Sequence, residues 1–87
     1  MDKSLTRPEY KLLLAELRKA RKEAGVNQTE LGLRLGETQS FISKVERGER
    51  RLDLVELNAF CKALGVSLED FTGRYSRAIR DIKRKRK

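Results

Sequence analysis

Apolar residues recur along the chain at the three- and four-residue spacing of helices, and no stretch alternates as a strand does. The first helical stretch follows Pro8, a residue that suits a first turn. Thr6 with Glu9 has the pattern of a capping box, and Gly25 ends the segment. Its apolar residues lie at i, i+3, i+4 and i+7: Tyr10, Leu13, Leu14 and Leu17.

Four more helices follow, each opened by a side chain that caps helices well. Asn27, Thr38 and Asp53 open the second, third and fourth, and Gly36, Gly48 and Gly65 close them. Ser67 opens a short fifth helix, which Leu68 and Phe71 would bury. After Gly73 only a weak apolar stripe remains in a basic segment: Tyr75, Ala78, Ile79 and Ile82. We predict an all-α domain over 8–73, an N-terminal arm over 1–7 and a basic extension over 74–87.

Residues 28–48 contain two of these helices joined at Gly36, as in a helix-turn-helix. Gly32 gives room for the two helices to cross closely, and Gly36 adopts the positive φ of a sharp turn. The apolar side chains would form a shared wedge: Leu31, Leu35, Ile42 and Val45. The outward face of the second helix is then polar with little charge: Gln39, Ser40, Ser43 and Lys44. Such side chains hydrogen-bond to base edges and phosphates, whereas a merely solvated face usually carries more Glu and Lys.

Length and composition limit the possible functions. The chain has 87 residues, 38% of them hydrophobic, which is enough for one domain. Its longest apolar run, Leu12 to Ala15, is far shorter than the roughly 20 residues of a membrane span. The polar N-terminus also lacks the features of a secretory signal. We expect a cytoplasmic protein that does not bind a membrane.

Candidate chemistry is sparse. Histidine is absent and Cys61 is the only cysteine, which leaves no Cys–His pair and no usual metal-ligand set. Carboxylates and lysines are spread as surface charge, without a glycine-rich phosphate loop. We therefore expect no enzyme activity, no metal and no cofactor. For Cys61, a place in the core is the favoured interpretation and redox sensing is the alternative.

The net charge of +8 is concentrated at the C-terminal end. Residues 74–87 hold eight basic residues and one acid, a net +7, whereas residues 1–73 hold thirteen basic and twelve acidic residues. A basic segment attracts nucleic acid, anionic membranes and acidic proteins alike, so specificity has to come from residues 1–73. Arg18, Lys19 and Lys22 are expected to be solvated.

The stretch NQTELGLRLGETQSFISKVERGERRLD resembles the XRE family of helix-turn-helix regulators, which includes the phage lambda-type repressors. The resemblance covers about Leu13 to Phe71 and implies a five-helix, lambda repressor-like fold whose third helix enters the major groove. It implies a transcriptional regulator, more often a repressor than an activator. Two residues depart from the family: Gly32 stands where alanine is usual, and Phe41 is aromatic at a position often partly exposed. Phe41 either packs against the following loop, the favoured interpretation, or touches DNA sugars and thymine methyls.

The resemblance also implies roles for single residues. Gln28 would contact a phosphate, and the recognition helix, about residues 38–47, would face bases or adjacent phosphates through Thr38, Gln39, Ser40, Ser43 and Lys44. Three arginines would hold the DNA backbone beside it: Arg47, Arg50 and Arg51. Arg21 and Glu46 would form a structural ion pair that does not read DNA.

The expected partner is double-stranded DNA, bound by a homodimer whose recognition helices lie about 34 Å apart. Leu68, Phe71 and Tyr75 are the candidates for the dimer surface. The alternative is an antitoxin or other protein-binding module, with a toxin as partner and DNA binding for autoregulation. RNA binding is the weakest possibility, because the predicted domain lacks exposed aromatic pairs that stack unpaired bases.

Overall fold

Five helices form the regular structure of the protein in a computed structural model that describes residues 7–85. Helix α1 spans Pro8–Glu23, α2 Gln28–Leu35, α3 Gln39–Glu46, α4 Leu54–Ala63 and α5 Leu68–Lys85. These residues contain no strand, so the predicted all-α fold is confirmed. Among them, no helix combines the length and the apolar character needed to cross a membrane.

Side-chain caps fix where α2, α3 and α4 begin, as predicted. Asn27 and Thr38 each accept a hydrogen bond from the backbone N–H three residues later. Helix α4 begins with a complete capping box. Asp53 accepts a hydrogen bond from the N–H of Glu56, and the Glu56 carboxylate accepts one from the N–H of Asp53. A cap of this kind contributes about 1 kcal/mol. The Thr38 cap therefore fixes the start of α3, and the Asp53 cap fixes the end of the loop that follows it.

Helix α1 begins differently from the prediction. Its N-cap is Arg7, which makes no side-chain cap, and Thr6 lies outside the described residues. Pro8 does occupy the start of the helix, where its missing N–H would have no helical partner in any case. Glu9 in the first turn adds a favourable interaction with the helix dipole.

The core lies where the five helices meet. The predicted wedge is present, because Leu31, Ile42 and Val45 are fully buried and Leu35 packs against them. Burial of a large aliphatic side chain contributes about 1.5–3 kcal/mol. This wedge therefore holds α3 firmly on α2. The largest fully buried side chains are Phe71, Leu17, Leu31, Ile42, Val45 and Cys61.

Helix α5 is not the short helix expected from the sequence. It has 18 residues and continues through Gly73, so the predicted boundary between 73 and 74 falls inside one helix. A glycine costs about 1 kcal/mol in a helix interior, which packing of the later residues offsets. The apolar stripe after Gly73 supplies that packing.

The second half of α5 packs against α1. The Tyr75 hydroxyl donates to the carbonyl oxygen of Glu9 at 3.0 Å, and Arg74 lies within 3.6 Å of the Glu16 carboxylate and 3.2 Å of that of Glu23. Farther along, Ile79 and Ile82 line a small groove together with Pro8 and Leu12 of α1. The basic segment through residue 84 is thereby part of the folded structure.

Candidate nucleic-acid interface

Helix α3 crosses α2 at a very close approach. A Cβ atom on Gly32 would lie 2.7 Å from the carbonyl oxygen of Glu37 and 3.2 Å from that of Thr38. The alanine usual in the resembled family would therefore force the turn to move. Gly36 ends α2 with φ 70°, which confirms the predicted left-handed turn. These two glycines allow α3 to turn sharply and pack closely against α2.

The outward face of α3 is polar and accessible, as predicted. Thr38, Gln39, Ser40 and Lys44 are exposed, and Ser43 is half-buried. Because the Thr38 hydroxyl already accepts the capping hydrogen bond, its proton remains available to an acceptor. The face offers hydroxyl, amide and ammonium groups with a single formal charge.

A buried ion pair lies beneath the end of α3. Arg21 Nε and Nη2 donate to the two carboxylate oxygens of Glu46 at 2.6 and 3.0 Å. Arg21 Nη1 donates to the carbonyl oxygen of Val26 at 2.9 Å. The pair implied by the resemblance is thus present. Arg18 also contributes, since its Nη2 donates to the Glu46 carbonyl oxygen at 2.8 Å, and the expectation that Arg18 is merely solvated is wrong.

The surroundings of Glu46 keep it ionised. Burial raises the pKa of the Glu46 carboxyl, but hydrogen bonds from Arg21 and Gln28, with the charges of Arg21 and Arg18, lower this pKa by more. The pKa of Glu46 consequently lies below its ordinary value. At neutral pH the buried carboxylate is a permanent acceptor.

Two amides link this carboxylate to the outward face. Gln28 Nε2 donates to Glu46 Oε1 at 2.9 Å, and Gln28 Oε1 accepts from Gln39 Nε2 at 2.6 Å. An ionised carboxylate only accepts, so it fixes which end of the Gln28 amide points inward. Gln39 must then donate one N–H to Gln28. Its other N–H and its carbonyl oxygen remain available to an external partner.

Sequence reasoning missed this chain of hydrogen bonds and gave Gln28 only a phosphate contact. The available signal was positional: Gln28 and Gln39 are each the first residue of a helix that follows a capping side chain. Two helix starts brought together by the tight turn place their first side chains side by side. The contact of Gln28 with Glu46 could be found only from the three-dimensional fold.

Arg47 lies at the end of α3 in an exposed ion pair. Its Nε and Nη2 donate to the Glu49 carboxylate at 2.9 and 3.2 Å, and its Nη1 donates to Ser43 Oγ at 2.9 Å. Both charged side chains are more than half exposed. A pair in this setting contributes little to stability. A phosphate oxygen could therefore replace Glu49 as the partner of Arg47.

Arg50 has a different role, because it joins the loop after α3 to both flanking helices. Its guanidinium lies 4.7 Å from the centre of the Phe41 ring, and its Nη2 donates to the Glu56 carboxylate at 2.8 Å. The hydrogen bond from Arg50 lowers the pKa of Glu56. Phe41 is partly buried against the core and lies under the Arg50 side chain of the following loop, which supports the packing interpretation. Arg51 is exposed on the same loop.

Two other predictions concern side chains that prove to be buried. Phe71 has no exposed surface, so its assignment to a dimer surface is wrong: the core needs this ring to close α5 over the other helices. Leu68 and Tyr75 are half-buried. Cys61 lies in the core, and burial raises the pKa of its thiol. This supports the core interpretation, because redox-sensing thiols are exposed and have a low pKa.

Comparison with known proteins identifies relatives of this arrangement. Residues 17–71 match the sequence profile of the helix-turn-helix family. An uncharacterized HTH-type transcriptional regulator of Sinorhizobium fredii, y4dJ, is 37% identical over 57 residues, which cover 66% of this chain and 74% of that protein.

Solved structures share most of the helical arrangement. An XRE-family like protein from Pseudomonas syringae pv. tomato superposes with a TM-score of 0.79 at 39% identity, covering 87% of this chain and 93% of that one. A mutant of the restriction-modification controller protein C.Esp1396I gives 0.77 at 27% identity, with coverages of 84% and 92%. The clp gene regulator ClgR from C. glutamicum gives 0.71 at 28% identity, with coverages of 80% and 90%.

Proposed function

The chain belongs to the XRE family of helix-turn-helix transcriptional regulators, and we propose that it binds a specific sequence of double-stranded DNA through α3 and represses transcription there. The hydrogen-bond chain from Glu46 through Gln28 to Gln39 is the observation that carries this proposal. It leaves Gln39 with one N–H and one carbonyl oxygen. This donor–acceptor pair matches N7 and N6 of adenine in the major groove.

The rest of the α3 surface suits the same task. Ser40 and Ser43 offer hydroxyl groups to base edges, and Lys44 offers an ammonium to a base or phosphate. Arg47 would exchange the Glu49 carboxylate for a phosphate as DNA approaches. Gln28, Arg50 and Arg51 remain the proposed contacts on the backbone beside these residues.

We further propose a cytoplasmic homodimer that binds a pseudo-palindromic operator, with recognition helices about 34 Å apart. Leu68 and Tyr75 are the candidates for the surface between the two copies, because Phe71 is fully buried within each copy. Such a dimer at a promoter would repress by occupying it. A toxin or another protein is the second candidate partner, favoured by the exposed apolar side chains of Leu54 and Val55 at the start of α4.

Selection of bound duplexes from a random DNA library, followed by titration of the enriched sequence, tests the proposal. We expect an inverted repeat with adenine opposite Gln39. Gln39→Ala should weaken binding to this site by about 1–3 kcal/mol without changing stability. Lys44→Ala and Lys62→Ala form a matched pair, because both remove one exposed lysine and only the first lies on α3.

The outcomes separate the two candidate functions. Specific binding should fall in Lys44→Ala and persist in Lys62→Ala. If the library shows no enrichment, or Gln39→Ala binds the enriched site as well as the native chain does, α3 is not the reading surface. Loss of a protein partner after Leu54→Ser and Val55→Ser, with DNA binding intact, would favour the protein-binding module.

A further inference from the structure

The base that Gln39 can read depends on the direction of its hydrogen bond to Gln28. In the structure Gln39 donates one N–H to Gln28, so its other N–H and its carbonyl oxygen remain available. This pair matches the N7 acceptor and the N6 donor of adenine. If the Gln39 carbonyl oxygen instead accepted from Gln28, both N–H groups of Gln39 would be available. They would match the two acceptors of guanine, N7 and O6. The direction of one hydrogen bond therefore distinguishes the two purines.

That direction is fixed from inside the protein. Gln28 Nε2 lies 2.9 Å from Glu46 Oε1, and the Gln28 amide can bond to a carboxylate only as the donor. Turning this amide over would place its carbonyl oxygen against the carboxylate, where two acceptors share no proton. The Gln28 carbonyl oxygen consequently lies at the other end, 2.6 Å from Gln39 Nε2.

The carboxylate of Glu46 is itself held in one orientation and one protonation state. Its side chain is 2% exposed, and Arg21 donates to both of its oxygens. Arg18 adds a second cation, with Nε 3.7 Å from Oε1. These partners keep the carboxyl ionised, so that it offers Gln28 an acceptor and no donor. A residue buried beneath α3 thereby determines what Gln39 presents on the surface.

We propose that Glu46 is a positioning residue for base specificity, which acts through Gln28 to make Gln39 select adenine over guanine at one position of the operator. This inference rests on the proposed function and gives the carboxylate of the buried ion pair a role beyond stability. Gln28 has a second N–H that can reach a DNA phosphate. Because a phosphate oxygen also only accepts, such a contact would keep the same direction of the chain.

The test measures a ratio of affinities in the full chain. The enriched duplex is compared with one in which guanine–cytosine replaces the adenine–thymine pair opposite Gln39. The native chain should prefer adenine by about 5- to 150-fold, which corresponds to one bidentate base contact. In Glu46→Gln the new amide can donate to Gln28 as well as accept from it, so both directions of the chain become available. This ratio should then fall by at least about five-fold.

Two further variants separate specificity from stability. Leu57→Ala shortens a buried side chain of α4 and leaves the three residues of the hydrogen-bond chain unchanged. It should lower stability and keep the ratio. Arg21→Met with Glu46→Gln removes both charges of the buried pair, which avoids an unpaired arginine if Glu46→Gln alone does not fold. This double variant should lower the ratio as Glu46→Gln does. Circular dichroism checks that each variant is folded.

Several results would overturn the inference. An unchanged ratio in the folded Glu46 variants means that the DNA, and not Glu46, orients Gln28. An equal fall of the ratio in Leu57→Ala means that lost stability explains the change. Guanine opposite Gln39 in the enriched site of the native chain contradicts the inference while leaving the proposed function intact. Failure of the proposed function gives a different pattern: the native chain enriches no sequence, and the inference falls with it.

Discussion

Two arginine–carboxylate pairs lie at the end of α3, and both are bidentate. The side chains of Arg21 and Glu46 are 10% and 2% exposed, whereas those of Arg47 and Glu49 are 56% and 54% exposed. Removing one partner of a buried pair leaves a poorly compensated charge in the core, whereas the two groups of an exposed pair are readily solvated when they separate. The same chemistry therefore positions the helix on its inner side and provides an exchangeable contact on its outer side.

The strongest test of this difference removes Arg21. Arg21→Met should lower the free energy of unfolding by about 3–5 kcal/mol, because Glu46 stays buried with its main partner gone. Arg21→Met with Glu46→Leu removes both charges and should recover much of the loss. Urea unfolding followed by circular dichroism measures both. If Arg21→Met lowered the free energy of unfolding by less than about 1 kcal/mol, the buried pair would contribute no more to stability than an exposed pair does.

A second test disturbs the inner side without touching a charge. Gly32→Ala should cost about 1–3 kcal/mol, because the new Cβ would lie 2.7 Å from the Glu37 carbonyl oxygen and force the turn apart. It should also weaken DNA binding, since α3 would shift. Gly73→Ala is the control: its Cβ would meet only Arg77 Nη1 at 3.6 Å, and the helix should gain about 0.5–1 kcal/mol. If Gly32→Ala were neutral, the close approach would not constrain α3.

Acid should weaken the inner pair. The pKa of Glu46 is lowered in the folded state, so its contribution is complete above the ordinary glutamate pKa of about 4.3 and is lost as the pH falls below that value. Stability should therefore decrease in this acidic range, and less steeply in Glu46→Gln, which has no such proton to bind. Thermal melts of both proteins between pH 6 and pH 3 provide the comparison. The slope of stability against pH reports how many more protons the unfolded state binds than the folded state. Parallel profiles for the two proteins would contradict the prediction.

The smallest effect is expected on the outer side. Glu49→Gln should leave the unfolding transition almost unchanged and should raise affinity for random DNA by no more than about five-fold, because Arg47 is released for phosphate. Glu69→Gln, an exposed residue of α5, changes the net charge equally and is the control. An equal rise in both variants would show that Glu49 acts only through net charge.

Local signals explain which parts of the fold could be predicted. The caps at Asn27, Thr38 and Asp53 and the turn at Gly36 involve atoms a few residues apart, so the sequence specifies them directly. The length of α5 depends on distant residues instead. Gly73 favours a helix end locally, but Arg74 and the residues after it find partners on α1, more than 50 positions earlier.

The candidate site divides in the same way. Periodicity correctly separated the outward side chains of α3 from its wedge. It could not reveal that Arg18 reaches Glu46, that Arg50 stacks on Phe41, or that Gln28 supports Gln39. Phe71 was misassigned for a related reason: an apolar stripe shows that a face will be covered and does not identify the neighbour that covers it.

The reactivity of the buried Cys61 thiol can report how often the core opens. A thiol reagent can react with this single, buried thiol only in molecules whose core has opened, so the labelling rate reports the opening equilibrium without denaturant. A duplex that binds only the closed form should slow the labelling in proportion to its occupancy. DNA binding could thus be followed by mass spectrometry on unmodified protein and unmodified DNA.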